Sequence, residues 1–504
     1  MDTSIFSTIT TDPGSATPLY LQLAEHIAAL IRSQQLTAGT KLPPERQLAL
    51  QCSVSRTTAI NAYRKLEEWG LVRTKIGSGT YVTDSGSETV LQPIPWNQLL
   101  VPHPPSPLSS ILRDLVSVDI AGKTISMDTG LPDPALYPLA AFSDLQNRRR
   151  KDLVNADMGH IPTEGYLPLR SWLASAHSQK GAPASPGNIA VVSGSQQGLY
   201  LLAKIFINPG DYVIIEAPTY LGALPVFRAA GARFLTLPAP GPLQLDLLED
   251  YLIRYRPKLL YLLPTFQNPS GRMVSLSERQ ALLSLAARHR LIIIEDDTYG
   301  ELYYGQAPPP SLKTLDHYGE VIYLGTVSKI LFPGLRIGWV TAPEAVITRL
   351  ALEKQYVDLH STNLSQWQLR EYLASGLLPG HLATIRKEYQ ARRDATASAL
   401  KRYCGDRLSF SIPAGGFYFW CRLTHPFATA RQLLHEATRL GVSFVPGEAF
   451  YPSGEGEKEF RLCFATNREE VLLEGIKRLA KALELLEKNL RHHQPSPLPS
   501  KPII

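Results

Sequence analysis

Cysteine and methionine are scarce in this 504-residue chain, at four each. Cys52, Cys404, Cys421 and Cys463 stand far apart without the close pairs that ligate zinc, which excludes a metal site of that kind and a disulfide framework. A reducing compartment fits. No apolar run is long enough to cross a bilayer, and the opening MDTSIFSTITTDPGS lacks the basic start and apolar stretch of a signal peptide, so the expectation is a cytoplasmic protein with no membrane partner. Charge of one sign is not in excess either. The 51 basic and 45 acidic residues leave +6, too thin over this length for the whole molecule to bind nucleic acid. Any DNA-binding case must be local. Apolar residues are plentiful at 44 %, and with 19 % charged residues the chain can bury large cores. Its length allows about three domains.

Composition changes after Val82, where DSGSETVLQPIPWNQLLVPHPPSPLSS carries Pro93, Pro95, Pro102, Pro104, Pro105 and Pro107 among serines. This reads as a stiff, extended linker over 84–122, between a head at 16–83 and a large domain at 123–486. RHHQPSPLPSKPII closes the chain, and 487–504 reads as a solvated, disordered tail. No internal repeat is present.

In the head, Leu23, Ile27, Leu30 and Ile31 form the stripe of an amphipathic helix starting near Pro18. LPPERQLALQ places Pro43 and Pro44 at the start of a short second helix that faces Leu48 and Ala49 inward. SRTTAINAYRKLEEWG predicts a third, with Ser55 as N-cap, Ala59, Tyr63 and Leu66 buried, and Gly70 past its end. LVRTKIGSGTYV then reads as a hairpin around Gly77-Ser78-Gly79. Three helices and a hairpin describe a winged helix-turn-helix. From Lys41 to Lys75, seven basic residues stand against three acidic ones. The third helix would enter the major groove by its N-terminal residues, with Arg56, Thr57, Thr58 and Asn61 at base edges and phosphates and Arg46, Arg73 and Lys75 on the backbone. A small helical domain with a solvated basic face is the alternative on pattern alone. LPPERQLALQCSVSRTTAINAYRKLEEWGLVRTKIGSGTYV resembles the DNA-binding domain of GntR-type bacterial regulators, and the resemblance implies a transcription factor that reads operator DNA as a dimer.

From about Ile125, short apolar runs alternate with helical stretches: DYVIIEAP, KLLYLLP, RLIIIEDD and EVIYLGT each end in a polar cluster. That is an α/β signature, a mostly parallel sheet flanked by helices with functional groups where strands end. In GTVSKILFPGLRIGW, Lys329 stands beside Thr326 and Ser328, with Arg336 further on and Gly334 and Gly338 leaving backbone room. Hydroxyls, a lysine and an arginine at a strand end suit a phosphate ester whose aldehyde an amine captures. A solvated surface lysine is the plain alternative. The other strand ends offer Ser195 and Gln196, Tyr220, Asn268, Asp296 and Tyr299. Together they supply what pyridoxal 5'-phosphate needs: an imine-forming lysine, an acid for the ring nitrogen, donors for the ring oxygen, a phosphate cup and an aromatic face.

The blocks GYLPLR, VSGSQQGLYLLAKIFINPGDYVIIEAPTY, LLPTFQNPSG, IIIEDDTYGEL, GTVSKILFPGLRIGW, PAGGFYFW and EFRLCFAT resemble, in this order, the fold-type I aminotransferases, whose fold adds a small C-terminal α/β subdomain. The resemblance implies Lys329 as the amine of the internal aldimine, Asp296 on the pyridinium nitrogen, and Asn268 and Tyr299 at the phenolic oxygen. It implies Ser195, Gln196, Thr326, Ser328 and Arg336 on the phosphate, Tyr220 stacked on the ring, Arg461 on a substrate carboxylate, and Asn268 as a second substrate-binding residue. Catalytic work would fall to Lys329, Asp296 and Tyr299. Gly165 and Arg170 read as structural and Asp297 as a helix or turn cap. His160 stands where related sequences carry a tyrosine that reaches the neighbouring subunit's cofactor, which leaves contact across a dimer open. Head, linker and body together resemble the MocR subfamily of bacterial regulators. That resemblance implies a cytosolic, head-to-tail homodimer that binds pyridoxal phosphate and operator DNA and senses an amino compound or the vitamer. A working aminotransferase carrying a DNA-binding head is the alternative.

Overall fold

The computed structural model describes residues 3–15, 17–75, 78–83, 96, 100, 124–149 and 159–492. The linker expected over 84–122 falls almost wholly outside them, as do wing residue Gly77 and residues 493–504 of the expected tail. The chain divides into two compact units, Met1–Pro104 and Pro105–Ile504.

In the first unit, α1 (Leu19–Arg32) starts after Pro18 and buries Leu23, Ala24, Ile27, Ala28 and Ile31, while Leu30 is only half-buried. Each fully buried leucine or isoleucine contributes about 1.5–3 kcal/mol. Pro44 stands just ahead of α2 (Glu45–Gln51), whose Leu48 and Ala49 face the core. The α3 helix (Arg56–Glu68) is capped by the Ser55 side chain, which accepts from the Thr58 backbone N–H at 3.1 Å. Tyr63 fixes α3 against the start of α2 by donating its hydroxyl to the Pro43 carbonyl at 2.6 Å. Gly70, at φ +73°, ends α3 in a conformation that side-chained residues avoid. β1 (Val72–Lys75) and β2 (Gly79–Val82) then pair antiparallel as the expected hairpin. The packed head begins before residue 16, because Phe6 and Ile9 enter its core and the Cys52 thiol donates to the Phe6 carbonyl at 3.3 Å.

Among the described residues, the second unit starts with β3 (Ile125–Ser126). A seven-stranded sheet follows, made of β4 (Ile189–Val192), β5 (Tyr212–Ala217), β6 (Arg233–Pro238), β7 (Leu259–Leu262), β8 (Ile292–Asp296), β9 (Val321–Thr326) and β10 (Gly338–Thr341), in the order β4-β10-β9-β8-β7-β5-β6. Only β10 runs antiparallel to its neighbours. Alternate strand residues feed two cores. Val213, Ile215, Tyr261 and Ile294 pack with Leu199 and Leu202 of the helix Ser195–Phe206, while Ile214, Leu260, Leu262 and Ile293 pack with Leu282 and Leu285 of the helix Leu276–His289. Helices therefore cover both faces, and the strand ends are left to carry chemistry.

A small subdomain holds β11 (Leu408–Phe410), β12 (Tyr418–Leu423), β13 (Val442–Ser443), β14 (Val445–Pro446) and β15 (Glu459–Cys463). Four of these make a sheet in the order β11-β12-β15-β14, and β13 pairs in parallel with β3. The closing helix, Glu469–His492, runs past the expected boundary at residue 486. Its apolar stripe continues through Leu490, which packs against the core, so residues 487–492 are helix and not tail.

Candidate functional site

Two close approaches build the site. Gly338, the first residue of β10, lies so near the start of the helix Ser195–Phe206 that a Cβ there would stand 2.7 Å from the Ser195 nitrogen. Gly334, also expected to leave room, meets nothing nearer than Phe332 at 3.7 Å. Gly194, at φ +86°, sits under Arg336, whose Nη2 donates to the Ser193 carbonyl at 2.8 Å. The helix start, its free N–H groups and Arg336 thus share one corner. Ser328 adds a hydroxyl, aligned by Thr326, whose Oγ1 donates to Ser328 Oγ or to the Ile337 carbonyl, both at 3.0 Å. Thr326 is buried and bonded inward. Gln196 likewise spends its side chain locally: Oε1 accepts from the Tyr220 hydroxyl at 3.1 Å and Nε2 donates to the Gly222 carbonyl at 2.8 Å. This fixes Tyr220 and turns most of the Gln196 amide inward.

Lys329 follows β9, half-buried, and its Nζ donates to the Gly130 carbonyl at 2.6 Å. Burial lowers its pKa to about 8; Arg461 and Arg336 push the same way, while Cys463 and Asp296 oppose them. At pH 7 about a tenth of such an amine is neutral and nucleophilic. Asp296, at the end of β8, is buried, which raises its carboxyl to about 6 against two hydrogen bonds it accepts, from Thr298 at 2.6 Å and Tyr261 at 2.8 Å. Arg461, from β15, is 4 % exposed and has no carboxylate partner among the described residues. It donates from Nη1 to Asn268 Oδ1 at 3.0 Å and from Nη2 to the Asp128 carbonyl at 2.6 Å. The rings of Tyr418 and Phe450 flank it at 4.2 and 5.0 Å, and its buried Nε has no hydrogen-bond partner. A buried cation with an idle N–H is ready for an anion. Tyr299 is fully buried, with its hydroxyl 2.8 Å from that of Tyr418.

The strand ends and the loops beside them thus bring Asp296, Lys329 and Arg336, with Arg461 from the middle of β15, into one electrostatic neighbourhood with Tyr220, whose phenol is pushed up by burial, while Asn268 joins through Arg461 and Tyr299 through Tyr418. Sequence reasoning missed Tyr418, Gly130, Asp128, Tyr261 and Thr298. Tyr418 lay inside the quoted block PAGGFYFW, but nothing in its spacing announced a partner 119 residues away. Asp297 is not a cap: its Oδ2 accepts from the Tyr323 hydroxyl at 2.9 Å and its buried Oδ1 has no partner. Arg170 is structural, donating to the carbonyls of Ile189 and Pro186. So is Gly165, where a Cβ would stand 2.7 Å from Val191. His160 is exposed and pairs within its own chain, with Nδ1 3.3 Å from Nε2 of His360.

On the head, Arg46, Arg56, Thr57, Arg73 and Lys75 are exposed and Asn61 is half-buried. Thr58 is half-buried and its hydroxyl lies 2.8 Å from Ser55 Oγ, within the cap. Lys75 and Lys41 both lie over the Tyr81 ring, which stiffens the base of the wing.

A mostly parallel sheet with a lysine, an acid and an arginine at its strand ends, and a small C-terminal subdomain, defines a fold-type I aminotransferase-like protein. Residues 152–479 match the family Aminotransferase class I and II, and residues 19–82 match Bacterial regulatory proteins, gntR family. The chain therefore belongs to the MocR-type regulators, in which a GntR head is fused to an aminotransferase class I and II body. Over 475 residues it is 33 % identical to the uncharacterized HTH-type transcriptional regulator YisV of Bacillus subtilis, covering 94 % of this chain and 97 % of the relative. It is 36 % identical over 399 residues to a 2-aminoadipate transaminase of Thermus thermophilus, covering 78 % of this chain and 98 % of that protein. The crystal structure of the α-aminoadipate aminotransferase LysN from Thermus thermophilus, complexed with N-(5'-phosphopyridoxyl)-L-leucine, superposes with a TM-score of 0.71 at 35 % identity, covering 78 % of this chain and 99 % of that one.

Proposed function

We propose that this chain is a transcriptional regulator whose large unit binds pyridoxal 5'-phosphate at Lys329 and senses an amino compound or the vitamer itself. The observation that carries the reading is the half-buried Lys329 amine, its pKa lowered to about 8, which feels both Asp296 and Arg461 on a chain with a gntR-family head. The residues fit the group. Ser195, the Gln196 backbone, Ser328 and Arg336 suit its phosphate, with Thr326 aligning Ser328; Tyr220 suits its ring face. Asp296, pushed up to about 6 by burial, can hold a proton shared with a ring nitrogen, and Asn268 and Tyr299 serve the ring oxygen. Bound pyridoxal phosphate supplies an aldehyde for amine capture and a ring that accepts electrons. Arg461, with Asn268 beside it, grips a ligand carboxylate through its idle Nε. In the head, Arg56 and Thr57 meet the major groove beside Asn61, while Arg46, Arg73 and Lys75 hold phosphates of operator DNA.

A homodimer in the bacterial cytoplasm, head-to-tail in arrangement, completes the reading. The exposed apolar face of the helix Glu344–Asp358 and the turn after it, with Leu352, Tyr356, Val357 and Leu359 each about half or more exposed, suits a partner subunit. The head-to-tail arrangement follows from the MocR-type likeness alone. Among the described residues, no helix is long and apolar enough to cross a membrane.

Operator titration with and without pyridoxal phosphate and a panel of amines tests the function: the affinity is expected to change, because a ligand that favours one arrangement shifts the population. Identical isotherms throughout would defeat it. Turnover is the second reading, favoured by the joint presence of Lys329, Asp296 and Arg461, and repeated amino transfer to a 2-oxo acid would establish it.

A further inference from the structure

Tyr418 opens β12 and is buried where three parts of the site meet. Its hydroxyl is 2.8 Å from that of Tyr299, with the two rings edge to face at 5.7 Å. It presses on Gly130 so closely that a Cβ there would clash with the hydroxyl oxygen, and the Gly130 carbonyl is the acceptor of Lys329. The Arg461 guanidinium lies 4.2 Å over the Tyr418 ring. One phenol thus braces the loop that holds the amine, the arginine and the other phenol.

A phenol has one hydrogen to give and can still accept. If Tyr299 sends its hydrogen outward to a ligand oxygen, it must receive one from Tyr418. We propose that Tyr418 is a positioning residue for the cofactor: it donates to the Tyr299 hydroxyl, turning the Tyr299 hydrogen towards the ring oxygen and strengthening that bond. The inference rests on the reading of Lys329 as the amine that holds pyridoxal phosphate. Burial pushes both phenols up, so both stay protonated through the neutral range, and the other ionisable groups bearing on the pair are Arg461, Tyr220 and Cys463. Bonds in such a chain polarise one another, so removing the far donor weakens the near one.

The readout is the pH dependence of the visible absorption of the full chain loaded with pyridoxal phosphate. A donor at the ring oxygen stabilises negative charge there and loosens the proton at the Lys329 nitrogen; a weaker donor leaves that proton tighter. Tyr418→Phe, which keeps the ring under Arg461, is expected to raise the midpoint by about 0.3–0.6 pH unit, a two- to fourfold gain in proton affinity. Tyr299→Phe raises it further. The double variant should match Tyr299→Phe alone, because Tyr418 acts through Tyr299. Equal midpoints for wild type and Tyr418→Phe, or a double variant that shifts by the sum of the two, overturn the role of Tyr418 while leaving Lys329 in place. A wild-type chain that stays colourless overturns the underlying reading as well.

Discussion

Gly338 carries the start of the helix Ser195–Phe206 on its bare Cα, with the Ser195 nitrogen 2.7 Å and the Gly194 carbonyl carbon 2.8 Å from where a methyl group would sit. Both neighbours are backbone and cannot swing aside. Four residues earlier in the same motif, Gly334 has only the Phe332 ring edge at 3.7 Å.

Gly338→Ala is therefore expected to cost about 3 kcal/mol and to open the anion corner, whereas Gly334→Ala is neutral or stabilising by up to about 1 kcal/mol. Melting temperature and pyridoxal phosphate affinity measured on both variants check this. Equal behaviour of the two would contradict the close approach.

Lys329→Ala should abolish the borohydride-trapped adduct and, without cofactor, make the large unit more stable at pH 7. The sign follows from the direction of the shift. The folded amine titrates near 8 and the unfolded one near 10.5, so this lysine adds least stability below 8, and the deficit is recovered as pH rises to 10.5. The melting advantage of the variant should shrink over that window. A gap that stays constant between pH 7 and 10.5 would contradict the desolvated amine.

The head helices, the hairpin, the strand runs and the ordered strand ends were legible because each is a local pattern: a 3.6 period, a cap, an apolar run. What escaped reading was set by partners far away in sequence. Gln196 reads by position as a phosphate ligand, and nothing local announced that its side chain would also be held by Tyr220 and Gly222. Asp297 looked like a cap, yet Tyr323 claims it. His160 pairs with a residue 200 positions on. Phe6 and Ile9 precede any helical stripe, so the head appeared to begin later than it does.

Arg461→Gln removes the charge but keeps a planar amide between Tyr418 and Phe450. Charge-assisted hydrogen bonds are worth about 1.5–3 kcal/mol, so affinity for α-amino acids, read from their spectral change, should fall about 10- to 100-fold. Simple amines lacking a carboxylate should bind as before. An equal loss for both ligand classes would make Arg461 a structural cation instead of a carboxylate grip.

At the head, two adjacent residues separate stability from recognition. Ser55 accepts from the Thr58 N–H and so holds the first turn of α3, while Arg56 is exposed at the same helix start. Ser55→Ala leaves the charge pattern intact but strips the cap, so it should lower head stability by about 1 kcal/mol with little change in the salt dependence of DNA binding. Arg56→Ala should do the reverse. Losing one phosphate contact reduces the slope of log affinity against log salt by about 0.9, without a change in melting. If Arg56→Ala leaves that slope untouched, α3 does not meet DNA through its N-terminal turn, and the groove placement of Thr57 and Asn61 fails with it.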